Sequence, residues 1–81
     1  MTEYARAAVY RVAQAPEGRW VVTQQGEEHT PMFFEQRDEA ITAAVALAKN
    51  APAARVEICD VYGELESELY FGLEEPPGDH P

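Results

Sequence analysis

Four carboxylates carry the most suggestive chemistry in this chain of 81 residues. Glu64, Glu66 and Glu68 alternate with Leu65, Ser67 and Leu69, and Glu57 lies in the apolar run before them. A spacing of two places side chains on one face of a strand. Like charges in such a row repel one another, at a cost that water tolerates and a cationic partner would offset. Acid catalysis asks for more, because a pocket must push two carboxyl groups apart in pKa, and an open strand face has none. Glu57, Glu64, Glu66 and Glu68 are therefore a candidate protein-binding surface. The plainer reading of the row is a solvated face, balanced across the sheet by Arg11, Arg19 or Arg55 and discouraging aggregation if its strand is an edge.

The other reactive side chains are isolated. Glu27, Glu28 and His29 are consecutive, and consecutive residues in an extended loop diverge, so they do not form a metal site without further ligands. His80 is remote in sequence. Cys59 is the single cysteine, so there is neither an internal disulfide nor a cysteine-based zinc site. Its neighbours Glu57 and Asp60 are the opposite of the cationic setting that activates a thiol. Ser67 lacks a glycine-flanked elbow and a histidine partner, and no glycine-rich loop is spaced to cradle a phosphate. The expectation is a non-enzyme with no catalytic residue, no cofactor and no metal.

Net charge sharpens the choice of partner. The chain carries −9 at neutral pH, which argues against nucleic acid and against an anionic membrane surface, since both need a basic footprint. It favours a basic protein partner. The acid is uneven: no Lys or Arg follows Arg55, whereas eight Asp or Glu residues do. No apolar run approaches the roughly 20 residues of a membrane span, and Met1–Tyr4 is unlike a secretory leader, so the expected location is the cytoplasm.

The elements that must position these groups centre on one helix, Asp38 to Asn50. Ala40, Ile41, Ala44, Val45, Leu47 and Ala48 recur at helical spacing, on a stretch rich in the best helix former. Asp38 and Glu39 suit the first turn and Lys49 the last. Gln36 with Glu39 is a weak capping box, Phe33 and Phe34 can pack back as a staple, and Asn50 is placed for a left-handed cap before Pro52. Arg6–Gln14 and Arg19–Gln24 alternate around the turn Ala15–Gly18 and read as a hairpin. Residues 25–31 read as a loop, from which Met32–Phe34 returns the chain to the core. Arg55–Cys59 and Glu64–Phe71 form a second hairpin around Asp60–Gly63. Tyr10, Val12, Trp20, Val22, Val56, Ile58, Leu65 and Leu69 are the expected inward residues. The resulting fold class is α+β: a ββαββ order with a four-stranded, mainly antiparallel sheet and one helix on one face. A single domain spans residues 5–72, followed by a disordered acidic, proline-rich tail over 73–81.

Several of these runs together resemble a known family. Val9–Val12, Gly18–Val22, Phe34 with Asp38–Ile41 and Ala44–Ala48, Val56–Ile58 before Gly63, and Tyr70–Gly72 look like domain-of-unknown-function family 2188, a small bacterial family. The likeness covers about Val9 to Gly72. It implies the same strand, Gly-Trp strand, Glu-Ala-rich helix and hairpin order, and it supplies no catalytic residues. Gln36 replaces the usual Ser or Thr cap, Tyr62-Gly63 replaces Asp-Gly, and the acidity departs from the often basic members. The Gly-Trp hairpin and Glu-Ala helix are also similar to HicB-type antitoxins, whose Pro-Asp-Leu-Pro-Gly segment is absent here. The expected function is a non-catalytic protein-interaction module, possible homodimer included. The alternative is an acidic inhibitor or nucleic-acid mimic that occupies a basic site, and a small enzyme is the remaining class.

Overall fold

The computed structural model describes residues 7–26 and 30–72. The lead-in at Met1–Tyr4, the Glu27–His29 group, and the tail with His80 lie outside the described residues. The elements run β1 (Ala8–Gln14), β2 (Trp20–Gln24), β3 (Met32–Phe34), α1 (Arg37–Asn50), β4 (Ala54–Cys59) and β5 (Leu65–Phe71). They form one mixed sheet in the order β3-β2-β1-β4-β5.

The α+β class and the single helix agree with the sequence reading, and two features of the sheet correct it. The described residues form five strands, because Met32–Phe34 pairs antiparallel with β2 in the register Trp20↔Phe34 and Val22↔Met32. Three residues are too few to display a period of two, so nothing local marks them as a strand. The second correction concerns direction. The β1–β2, β2–β3 and β4–β5 pairs are antiparallel, but β1 and β4 run parallel, with Tyr10↔Val56 and Val12↔Ile58. Through β2, strand β3 points the same way as β1. The helix then carries the chain back over the sheet, so β4 enters beside β1 in that shared direction, as crossovers between parallel strands do. Buried on nearly its whole length, β4 is the strand that suits this interior position.

The core lies between α1 and one sheet face. Val12 and Val56 are fully buried, Trp20 is 7% exposed, and Ala40, Ala44 and Ala48 are completely enclosed. The helix presents methyl groups, so it can settle close to the sheet while Tyr10, Trp20, Val22 and Ile58 fill the layer. Phe34 and Ile41 pack at its margin, whereas Phe33 is exposed under the Arg19 guanidinium, 4.4 Å from the ring centre. Of the expected staple, only Phe34 faces the core.

The helix ends follow the predicted chemistry in part. The Glu39 carboxylate accepts the Gln36 N–H at 3.3 Å, closing one half of the capping box. Asn50 does not adopt the left-handed conformation; no non-glycine residue described does. Ala51 turns to extended backbone at φ −90° and ψ 152°, the conformation imposed on a residue that precedes proline. At the far end of β5, Gly72 (φ 70°) lies against the α1–β4 connection so closely that an added Cβ would stand 2.3 Å from the Pro52 carbonyl oxygen.

Candidate functional site

Glu57 sits near the middle of the sheet face that the helix leaves open, and it is the one buried charged residue described. Its burial follows from register: β4 is interior, and Arg11 of β1 and Glu68 of β5 lie directly opposite on either side. Two arginines satisfy it. Arg11 donates from Nε at 3.1 Å and from Nη2 at 2.9 Å to Oε1, and Arg55 Nη2 lies 3.0 Å from Oε2. Gln25 Nε2 adds a longer contact to Oε1 at 3.4 Å. Bonding to the carboxylate holds the Arg11 guanidinium above its ordinary pKa against the opposing effect of burial. Glu57 is thus a clamp that ties β1, β4 and the end of β2 together, and its oxygens are already occupied.

The other three carboxylates do not form one row. The β4–β5 register slips by one between Ile58 and Cys59, pairing Ile58 with Ser67 and Cys59 with Leu65. The extra residue is Glu66, and such a bulge redirects the side chains around it. Glu66 reaches Arg37 at the start of α1, and the same guanidinium donates to the Cys59 carbonyl oxygen at 3.2 Å. Leu65, expected inward, is 52% exposed, because the slip takes it out of line with Ser67 and Leu69. Glu68 faces Glu57 and accepts the Tyr70 hydroxyl at 2.7 Å. That bond, with lesser help from burial and the nearby negative charge, raises the Tyr70 pKa above its ordinary value. Glu64 is exposed where the hairpin turn meets β5. Of the four predicted residues, the structure brings Glu57 and Glu68 together and sends Glu66 and Glu64 elsewhere.

The hairpin itself shows what the charge pattern concealed. Asp60 Oδ1 accepts the N–H groups of Tyr62 (2.9 Å) and Glu64 (3.0 Å), and Gly63 takes the positive φ of 83° that closes the turn. This leaves Val61 and Tyr62 at the tip, 58% and 85% exposed. Turn centres ordinarily carry small polar residues; the Val-Tyr pair here is the sequence signal that marks this tip. Leu65, Leu69 and Tyr70 are also exposed, so five of the eight exposed large apolar side chains described lie on this hairpin. The helix packs mainly across β1, β2, β3 and β4 and meets β5 through the Arg37–Glu66 ion pair; the outer flank of β5 has no neighbouring strand among the described residues.

No three His, Cys, Asp or Glu among the described residues are placed to share a metal ion. A recess of about 190 Å³ beneath the helix end is lined by Tyr10, Val22, Thr23, Gln24, Thr30, Met32 and Leu47, with no carboxylate, histidine or cysteine. Cys59 is buried and free. No helix among the described residues is long and apolar enough to cross a membrane. No protein-family model matches the chain, nor does any curated protein or solved structure.

Proposed function

We propose that this chain is a non-catalytic protein-interaction module that works through the β4–β5 hairpin. The observation that carries this reading is the gathering of Val61, Tyr62, Leu65, Leu69 and Tyr70 on one hairpin at the uncovered end of the sheet. Exposed apolar side chains scattered singly need no explanation, whereas five on one hairpin, divided between its tip and the two faces of an edge strand, suit a partner that wraps that edge. Aromatic anchors such as Tyr62 and Tyr70 are the side chains that most often dominate binding energy. The likeness to family 2188 belongs to the same reading, since it implies an architecture and no active site.

Mimicry of nucleic acid is the weaker alternative. A mimic presents its carboxylates as a free array, and here Glu57 is clamped by two arginines while Glu66 is held by Arg37. The test compares immobilised wild type with Val61→Ser/Tyr62→Ser in capture from the native extract, with Thr42→Ser on the exposed helix face as control. A defined protein retained in stoichiometric amount by wild type and control, and lost by the folded tip variant, is the expected result. Equal recovery by all three, or no recovery by any, sinks the proposal.

A further inference from the structure

The structure carries the interaction reading one step further, to the manner of binding and the chemistry of the occupant; this step rests on the function proposed above. We infer that the outer edge of β5 accepts an extended segment of another protein as a sixth strand, and that this segment carries a basic residue flanked by apolar ones.

The backbone gives the first part. β5 is seven residues long and, among the described residues, pairs on one side only. Alternate N–H and C=O groups along that outer flank have no partner strand among the described residues, the geometry used when peptides add to a sheet. The opposite edge is a poor competitor, since β3 has three residues.

Charge gives the second part. On the open face the rung that crosses the sheet reads Arg11, Glu57, Glu68. Arg11 and Glu57 are bonded, but Glu57 and Glu68 are like charges directly opposite each other, a destabilising arrangement. The next position along that rung, beyond Glu68, is empty. A Lys or Arg placed there restores alternation of sign, and the Tyr70 ring one rung away offers a cation a face to rest on. On the helix side, Leu69 stays 36% exposed, since α1 packs mainly across the other four strands. A residue adjacent to the basic one in a strand points to that side, so an apolar side chain there would cover Leu69 and Phe71.

Charge also disfavours a second copy of the chain and residues 73–81 as the occupant. β5 contains no Lys or Arg, so any β5–β5 pairing brings acid toward acid between molecules of charge −9. Residues 73–81 are also acidic and contain three prolines, which cannot donate to a ladder.

The experiment uses the full chain, labelled with ¹⁵N, and three capped peptides. One alternates (Thr-Val-Lys-Val-Lys-Val-Thr), one is its permutation with the same charge (Thr-Val-Val-Val-Lys-Lys-Thr), and one carries Glu in place of both Lys. Amide shifts and hydrogen exchange are followed on titration. The alternating peptide is expected to slow exchange of amides within Leu65–Phe71 and to bind about tenfold tighter than the permuted one, a difference that bulk charge attraction does not produce. Glu68→Lys is expected to lower its affinity about tenfold and to raise that of the Glu peptide. Equal binding of the alternating and permuted peptides overturns the inference, as do shifts centred on Phe33 or Arg11. A concentration-dependent dimer that protects β5 without peptide overturns it as well. If the peptides fail while the Val61→Ser/Tyr62→Ser variant still loses a captured protein, strand addition falls and the interaction module stands; if both fail, both fall.

Discussion

Removing Glu57 should cost less than removing the arginines that hold it. In Glu57→Met the lost groups are three hydrogen bonds to Oε1 and the ion pair at Oε2. Bonds to charged groups contribute about 1.5–3 kcal/mol each when well buried. The Arg11 and Arg55 side chains, however, are 44% and 36% exposed, so each regains water when released, and screening takes most of that value away. Glu68, directly opposite position 57, can also receive one of them, and the like-charge contact of up to about 1 kcal/mol disappears. The net cost of Glu57→Met should be about 1 kcal/mol. Arg11→Met is different, because it strands a carboxylate that is only 9% exposed and leaves it Arg55 and a 3.4 Å contact from Gln25. Breaking a buried pair from one side costs about 3–5 kcal/mol; with Arg55 still present, about 2–3 kcal/mol is expected. At about 4–8 °C per kcal/mol for a domain of this size, Glu57→Met should lower Tm by about 4–8 °C and Arg11→Met by about 10–20 °C. Thermal and urea unfolding, followed by far-UV circular dichroism and Trp20 fluorescence, would measure both. A larger loss for Glu57→Met than for Arg11→Met would refute the argument that the buried partner sets the cost.

Three further outcomes follow from the packing and the ionisation of β5. Ala44→Leu forces three extra carbons between the helix and the sheet at a site of zero exposure; a loss of about 2–3 kcal/mol is expected in urea unfolding, and an unchanged midpoint would mean the helix does not sit on the sheet as described. Gly72→Ala combines a left-handed φ, costing about 1 kcal/mol, with the overlap on the Pro52 oxygen; a total of at least about 2 kcal/mol should appear in the same assay, and a neutral substitution would detach β5 from the α1–β4 connection. Tyr70 should titrate above the ordinary phenol value of about 10. Since folding raises this pKa, its contribution to stability is complete below about pH 10 and is lost as pH climbs through the folded value. A ¹³C-tyrosine NMR titration should show the Tyr70 transition moving down in Glu68→Gln, and no movement would discount the hydrogen bond as its cause.

Much of the frame is local and was therefore legible from residue order. The alanine stripe at helical spacing marks α1, and Ala40, Ala44 and Ala48 are the residues it buries. Period-two alternation names Tyr10, Val12, Trp20, Val22, Val56, Ile58, Leu65 and Leu69 as inward; the first six are core, and the two β5 leucines are exposed. The Asp60–Gly63 turn follows from side-chain and glycine chemistry within four residues. Composition alone supplies the charge, with its bias toward the end of the chain.

What tertiary structure decided is which distant segments meet. β3 exists because Phe34 and Met32 find partners on β2, and β4 lies parallel to β1 because the helix returns the chain over the sheet. The slip at Glu66 breaks an acidic row that alternation presents as continuous, sending one carboxylate to Arg37 and leaving Glu68 against Glu57. Periodicity records the conformation of a single strand. The neighbour across each rung, and hence whether a charge is satisfied, clamped or left open at an edge, is set by the packing of the whole sheet, where one residue more or less in a strand changes every pairing beyond it.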